Sequence, residues 1–170
     1  MNVSIRMTTL FLLLVLAIVI GGAYWFFFST TPRTIPKEIR VATLRIGNKE
    51  FSVKLARTPE LRAKGLGGHE GLSDSEGMLF LFGRPDVYGF WMLGMKFPID
   101  IIWIRGNRIV DISESIQPEP GKIINLSTYR PKEPADRVLE VNAGLAQVFG
   151  FNIGDKVSLF LSGENVDRQE

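Results

Sequence analysis

Cysteine is absent from all 170 residues, and histidine occurs once, at His69. The first absence excludes disulfides and thiolate metal sites, without naming a compartment. A metal site would have to combine His69 with Glu70, Asp74 or Glu76, and zinc normally draws on more nitrogen or sulfur than that. The run Asp74-Ser75-Glu76 also lacks the alternating oxygen ligands of a calcium loop. No Gly-x-Ser-x-Gly elbow and no Walker loop occurs, and Gly65, Gly67 and Gly68 lack the strand and helix that frame a dinucleotide fingerprint. We therefore expect neither metal nor cofactor. A strong charge of one sign is missing as well. The formal net charge is +2, and residues 41–170 hold 16 basic against 17 acidic side chains, interspersed. Nucleic-acid binders concentrate basic charge on one face, so no nucleic-acid partner is expected.

The chain does hold one long uncharged run. Met7 to Phe28 is 22 residues without a charge, and Leu10–Phe28 within it is almost wholly apolar. At about 1.5 Å per residue, a helix of that length crosses a hydrocarbon core of roughly 30 Å. Tyr24 and Trp25 stand near one end, where amphipathic rings favour the interface. Residues 1–28 are expected to be a transmembrane anchor, and the membrane a partner through that helix. Two alternatives are a signal peptide cut after Ala23 and a buried core helix. Against the cut, Trp25–Phe28 continue the apolar run past it. Counting Arg33, Lys37, Arg40 and Arg45 against Arg6 would place the adjoining domain in the cytoplasm. Domains behind a single N-terminal anchor nonetheless often cross, and we expect a single-pass protein with an extracytoplasmic domain.

Residues 29–38 form a short Pro/Thr linker, 39–162 the domain, and 163–170 a polar tail. Alternation predicts strands over 39–46 and 50–56 around the hairpin signal Gly47-Asn48. Thr58-Pro59-Glu60 has the residues of a helix start, and Gly65 can end that helix. Further strands are expected at 78–82, 88–93, 99–104, 108–113, 137–141 and 156–161, with a brief one at Ile123-Ile124. A turn is expected at Arg84-Pro85-Asp86, and a short helix capped by Asn142 runs to Phe149. The long stretch 114–136 is broken by prolines and is either functional or loosely ordered. The fold class is mainly β: a small barrel or sandwich of about eight short strands with two short helices, preceded by one transmembrane helix.

Several pieces occur in a specific order. They are Ala56-Arg57-Thr58 through Gly65-Leu66, Gly77-Met78-Leu79-Phe80, Phe90-Trp91-Met92 with Pro98-Ile99-Asp100, Val138-Leu139-Glu140-Val141 with Ala143-Gly144, and Gly154-Asp155-Lys156-Val157. In these the chain resembles the bacterial and archaeal family catalogued as domain of unknown function 192, over about Phe51 to Leu161. The resemblance carries no established activity. It departs at Gly67, where the family often has methionine, and at Gly94-Met95, where it commonly has Asn-Thr.

Four residues are the candidates for a binding face: Trp91, Met92, Asp100 and Glu140. The segment Phe90–Phe97 is the richest apolar cluster, able to stack a flat ligand or simply to fill a core. Asp100 and Glu140 interrupt apolar strands, so each carboxylate faces a polar pocket, a cation such as Arg57 or Arg137, or backbone N–H groups. The function these features suggest is a membrane-anchored accessory domain that binds a small ligand or an envelope partner without catalysis. The alternative is a hydrolase in which Asp100 and Glu140 act as acid and base, which requires the two carboxyls to share a cleft. A purely structural protein would instead expose an apolar patch for a partner.

Overall fold

A computed structural model describes residues 41–119, 126–161 and 164–165. The expected anchor, the linker and the strand at Ile123-Ile124 lie outside the described residues. Among the described residues no helix is long and apolar enough to cross a membrane.

Eight strands form a single sheet: β1 (Val41–Ile46), β2 (Lys49–Ala56), β3 (Glu76–Asp86), β4 (Ile99–Arg105), β5 (Arg108–Ile116), β6 (Ala135–Asn142), β7 (Val157–Leu161) and the two-residue β8 (Glu164–Asn165). Their order across the sheet is β5-β4-β6-β3-β2-β1-β7-β8. β2 and β3 are parallel and are joined through helix α1 (Pro59–Lys64); the remaining pairs are antiparallel. The sheet curls on itself. Arg108 at the start of β5 bridges Lys156 just before β7, and Val157 N–H donates to Asn107 O at 2.8 Å. One curled, partly closed sheet therefore replaces the two packed sheets of a sandwich.

Local chemistry explains most of the elements. Gly47 and Gly106, at φ +58° and +56°, each open a Gly-Asn turn, β1 to β2 and β4 to β5. Only glycine adopts that conformation cheaply, and it suits a two-residue hairpin. Thr58 Oγ1 accepts from Leu61 N–H at 3.3 Å, and Pro59 fills the first helical position of α1 as expected.

Three expectations are corrected. Residues 88–93 are not a ladder strand: among the described residues their one β-type pairing is an isolated bridge, Phe90 to Tyr129, outside the sheet. Their alternation is nonetheless real, because Phe90 and Met92 turn inward to cover the sheet while Trp91 turns out. Arg84-Pro85-Asp86 does not end a strand, since β3 runs through it with a register shift between Leu81 and Asp86 that accommodates the proline. Asn142 closes β6 and donates to Leu72 O and Asp74 Oδ1, while helix α2 (Leu145–Val148) begins after Gly144. Within the tail expected from 163, Glu164–Asn165 pair with β7 as β8.

Strand alternation builds two cores back to back. The inner one draws on β1 to β7, with Leu44, Phe51, Val53, Leu79, Ile102, Leu139, Val141 and Val157 among its members, and α2 plugs it with Leu145 and Ala146. The outer one covers β3, β4 and β6 with Phe80, Trp103, Ile101 and Val138 under Leu66, Phe90 and Met92. Trp103 is fully buried and donates its indole N–H to Ser113 Oγ at 3.1 Å. β3 and β6 approach closely at Gly77, where a Cβ would lie 2.8 Å from Glu140 O and 3.1 Å from Leu139 Cδ1.

Replacing Gly77 with alanine is expected to destabilise the domain by about 1–3 kcal/mol, because rigid backbone stands in the way. Urea unfolding measures it; a loss under about 0.5 kcal/mol, the range of neutral surface changes, would show that the β3–β6 seam yields freely.

Candidate functional site

The outer core leaves a cleft of about 210 Å³ at its edge. α1 and the turn after it form one wall, through Arg62, Lys64, Gly65 and Leu66. β3 contributes Phe80 and Phe82, and the β3–β4 connection contributes Tyr88, Phe90, Trp91, Leu93 and Met95. The rings support one another: Phe82 and Tyr88 stack with centroids 3.7 Å apart, and Phe80 and Phe90 meet edge to face at 4.9 Å. Trp103 braces Phe90 from beneath at 5.2 Å. Arg62 is committed at the mouth. Its guanidinium lies 5.1 Å from the Phe82 ring and donates to Arg57 O and Leu81 O.

Glu140 is the one acid among these walls. In register it sits between Met78 of β3 and Ile101 of β4, both members of the outer core. The residue is 5% exposed, and its Oε2 is the one buried side-chain oxygen or nitrogen without a hydrogen-bond partner among the described residues. Burial alone pushes its carboxyl up to about 8, since a charged carboxylate would lose its hydration there and gain no partner. At neutral pH the floor of the cleft is therefore mostly the neutral acid, able both to donate and to accept.

Asp100 is also fully buried, but faces the other way. Ile101 pairs with Glu140 and Asp100 pairs with Val141, so alternation places the two carboxyls on opposite faces of the sheet. Asp100 Oδ1 accepts from Ser115 N–H at 2.8 Å and Gly144 N–H at 3.1 Å, and Oδ2 accepts from Ala146 N–H at 2.9 Å. It is bonded to backbone, the structural option open to it in the sequence, and it ties α2 and the end of β5 to β4. Of the other two candidates, Trp91 lines the cleft at 43% exposure, whereas Met92 is 0% exposed within the outer core. The structure thus joins Trp91 with Glu140 and separates both from Asp100 and Met92. Among the described residues no group of three or more His, Asp or Glu side chains is placed to hold a metal ion.

Residues 42–159 match the family model for DUF192, described as Uncharacterized ACR. The chain belongs to this family. A protein of unknown function from Novosphingobium aromaticivorans DSM 12444 has the same fold, at 32% identity and TM-score 0.65, over 76% of this chain and 93% of its own. A Sinorhizobium meliloti 1021 protein, provisionally named a transcription regulator, matches at 26% identity and TM-score 0.65, over 76% of this chain and 98% of its own. In both solved structures the matched fold makes up nearly the whole chain. No curated protein matches the chain.

Gly67 and Gly94-Met95, the two places that the resemblance marked as departures, meet at the cleft. Gly68 N–H donates to Gly94 O at 2.9 Å, and a Cβ on Gly67 would press to 3.0 Å on Leu93 O. Lys96 and Glu70 form an ion pair between the same two segments. A larger residue at 67 would require Leu93 O and Lys64 O to give way by a few tenths of an ångström. Of the wall residues, Arg62, Phe80, Phe82 and Tyr88 were not anticipated. The alternation in Met78-Leu79-Phe80-Leu81-Phe82, which sets both phenylalanines on one face, was the signal available for two of them.

The Glu140 environment predicts a dependence on pH. A carboxyl raised from about 4.5 unfolded to about 8 folded lets the fold keep full stability below about pH 4.5. Stability then declines by about 1.4 kcal/mol per pH unit until about pH 8. Glu140→Gln removes this dependence, so its advantage over the parent is expected to grow by on the order of 3 kcal/mol between pH 5 and pH 8. Urea unfolding of both proteins at the two pH values checks this, and a constant difference would mean that Glu140 is ionised in the fold.

Proposed function

We propose that this protein is a membrane-tethered accessory domain that binds a small, largely apolar molecule in the aromatic cleft and does not transform it. The observation that carries the reading is Glu140 Oε2, buried without a partner at an aromatic-walled cleft. Buried polar groups are normally satisfied, and leaving one open costs the fold about 1–3 kcal/mol. A ligand that bonds it recovers that loss. Trp91, half exposed beside the cleft, supplies a ring to stack on the same molecule.

The hydrolase reading loses its basis, because Asp100 and Glu140 share no cleft and Asp100 is occupied by three N–H groups. The name of the Sinorhizobium relative suggests nucleic acid, yet residues 41–170 here carry 16 basic and 17 acidic side chains with no basic cluster in the sequence. The tether rests on the uncharged Met7–Phe28 run. An extracytoplasmic position rests on the tendency of such anchors to export the domain behind them.

Two measurements test the proposal. The protein is expected to stay in the membrane pellet through alkaline carbonate extraction of host cells, while a chain beginning at residue 39 is released; release of the full chain removes the tether. Residues 39–170 purified from the native host are expected to carry a small molecule detectable by mass spectrometry after solvent extraction. Trp91→Ala should retain about one tenth as much, as loss of one aromatic contact of about 1–1.5 kcal/mol implies. Equal retention, or none in the parent, overturns the binding site.

A further inference from the structure

If the cleft binds a small molecule as proposed, its lining also constrains the charge of that molecule. The only carboxyl lining the cleft is Glu140, and it meets no cation there. The titratable groups lining the same space are Arg62 and Lys64 from α1 and Tyr88 from the β3–β4 connection. β3 and β4 present Met78, Phe80 and Ile101 around Glu140, none of them charged. Positive charge at the mouth disfavours an ammonium ligand, although the rings alone would suit one. An anionic group set against Glu140 would meet a dry, apolar surround and lose its hydration without compensation. What remains is a neutral partner for a neutral carboxyl.

We infer that the cleft takes an uncharged planar ligand bearing a carboxamide or lactam, whose C=O and N–H pair with the two oxygens of the Glu140 carboxyl while its ring lies against Trp91. In this pairing the acid O–H donates to the ligand carbonyl and the acid carbonyl accepts from the ligand N–H, closing a ring of two hydrogen bonds. The flat amide continues into the space between Phe80, Phe82 and Trp91. A polar or anionic substituent at the far end of the ligand would face Arg62 and Lys64 at the mouth. The carboxyl is then a recognition group, and its burial is what selects against charged analogues.

Three probes with the same ring and different charge separate the options: benzamide, benzoate and benzylamine. Binding to residues 39–170 is followed by the Trp91 indole and neighbouring amide signals in ¹H–¹⁵N NMR. Benzamide is expected to bind at least tenfold more tightly than either charged probe at pH 6.5, and to weaken as pH rises through about 8, where burial places the loss of the Glu140 proton. Glu140→Gln, an amide that can form the same pair, should keep benzamide binding flat across that range. Glu140→Leu, which fills the same space without a polar group, should lose it at least tenfold. Preference for benzylamine would overturn the neutral-ligand assignment while leaving a binding cleft. Preference for benzoate, or equal binding by Glu140→Leu, overturns it likewise. Absence of any shift at Trp91 with all three probes, up to their solubility limits, would remove the cleft reading itself.

Discussion

Gly77–Phe80 of β3, Ile99–Ile104 of β4 and Val138–Val141 of β6 are buried on both faces, and this double burial sets the arrangement of everything else. A strand with one wet face can place a carboxylate outward at little cost, but these stretches have no wet face. An acid within them lands in one core or the other. Asp100 falls to the inner core and Glu140 to the outer, although their strands are neighbours and their register positions adjoin. Everything that distinguishes the two residues stems from that parity.

The inner acid is neutralised by geometry. Gly144, in the left-handed conformation at φ +84°, lets the chain turn from β6 into α2, and the N–H groups of Gly144 and Ala146 then face Asp100. A residue 44 positions away along the chain acts in place of a local cap. Ser115, at φ +53°, is the one non-glycine residue with positive φ among the described residues, and its N–H is the third donor to the same carboxylate. Strand, helix and turn are thus held at one carboxyl group.

The outer acid has no such donors. Its neighbours are aromatic and aliphatic, and burial without a partner disfavours its charged form. A buried group that weakens its own fold is a sound marker of function, because stability arguments alone supply no reason for it. The surrounding parts agree with this. Trp91 is the large ring left half exposed beside it, and the segment carrying Trp91 is fastened at Gly68–Gly94 and Lys96–Glu70 on the far side of the cleft.

Much of the local structure was determined by the sequence alone. The Gly47-Asn48 hairpin, the Thr58-Pro59 start of α1, its stop at Gly65 and the strands from Ile99 to Ser113 depend on contacts between near neighbours, and their residues state them directly. The ordered pieces from Ala56 to Val157 likewise marked the family. Trp91 and Glu140 were identifiable as unusual placements, a large ring in a dense apolar cluster and an acid inside a strand. Their sharing of a cleft was not identifiable, nor was the separation of Asp100 from it. Those depend on how β4 registers against β6 and on which way the sheet curls, and a one-residue slip of β4 against β6 would bring both acids to one face. The apolar alternation of residues 88–93 shows the same limit: sequence recorded which side chains turn inward, and only the tertiary structure decided that they cover a sheet rather than join one. Burial pattern is written residue by residue along the chain, whereas hydrogen-bonded pairing belongs to two segments at once.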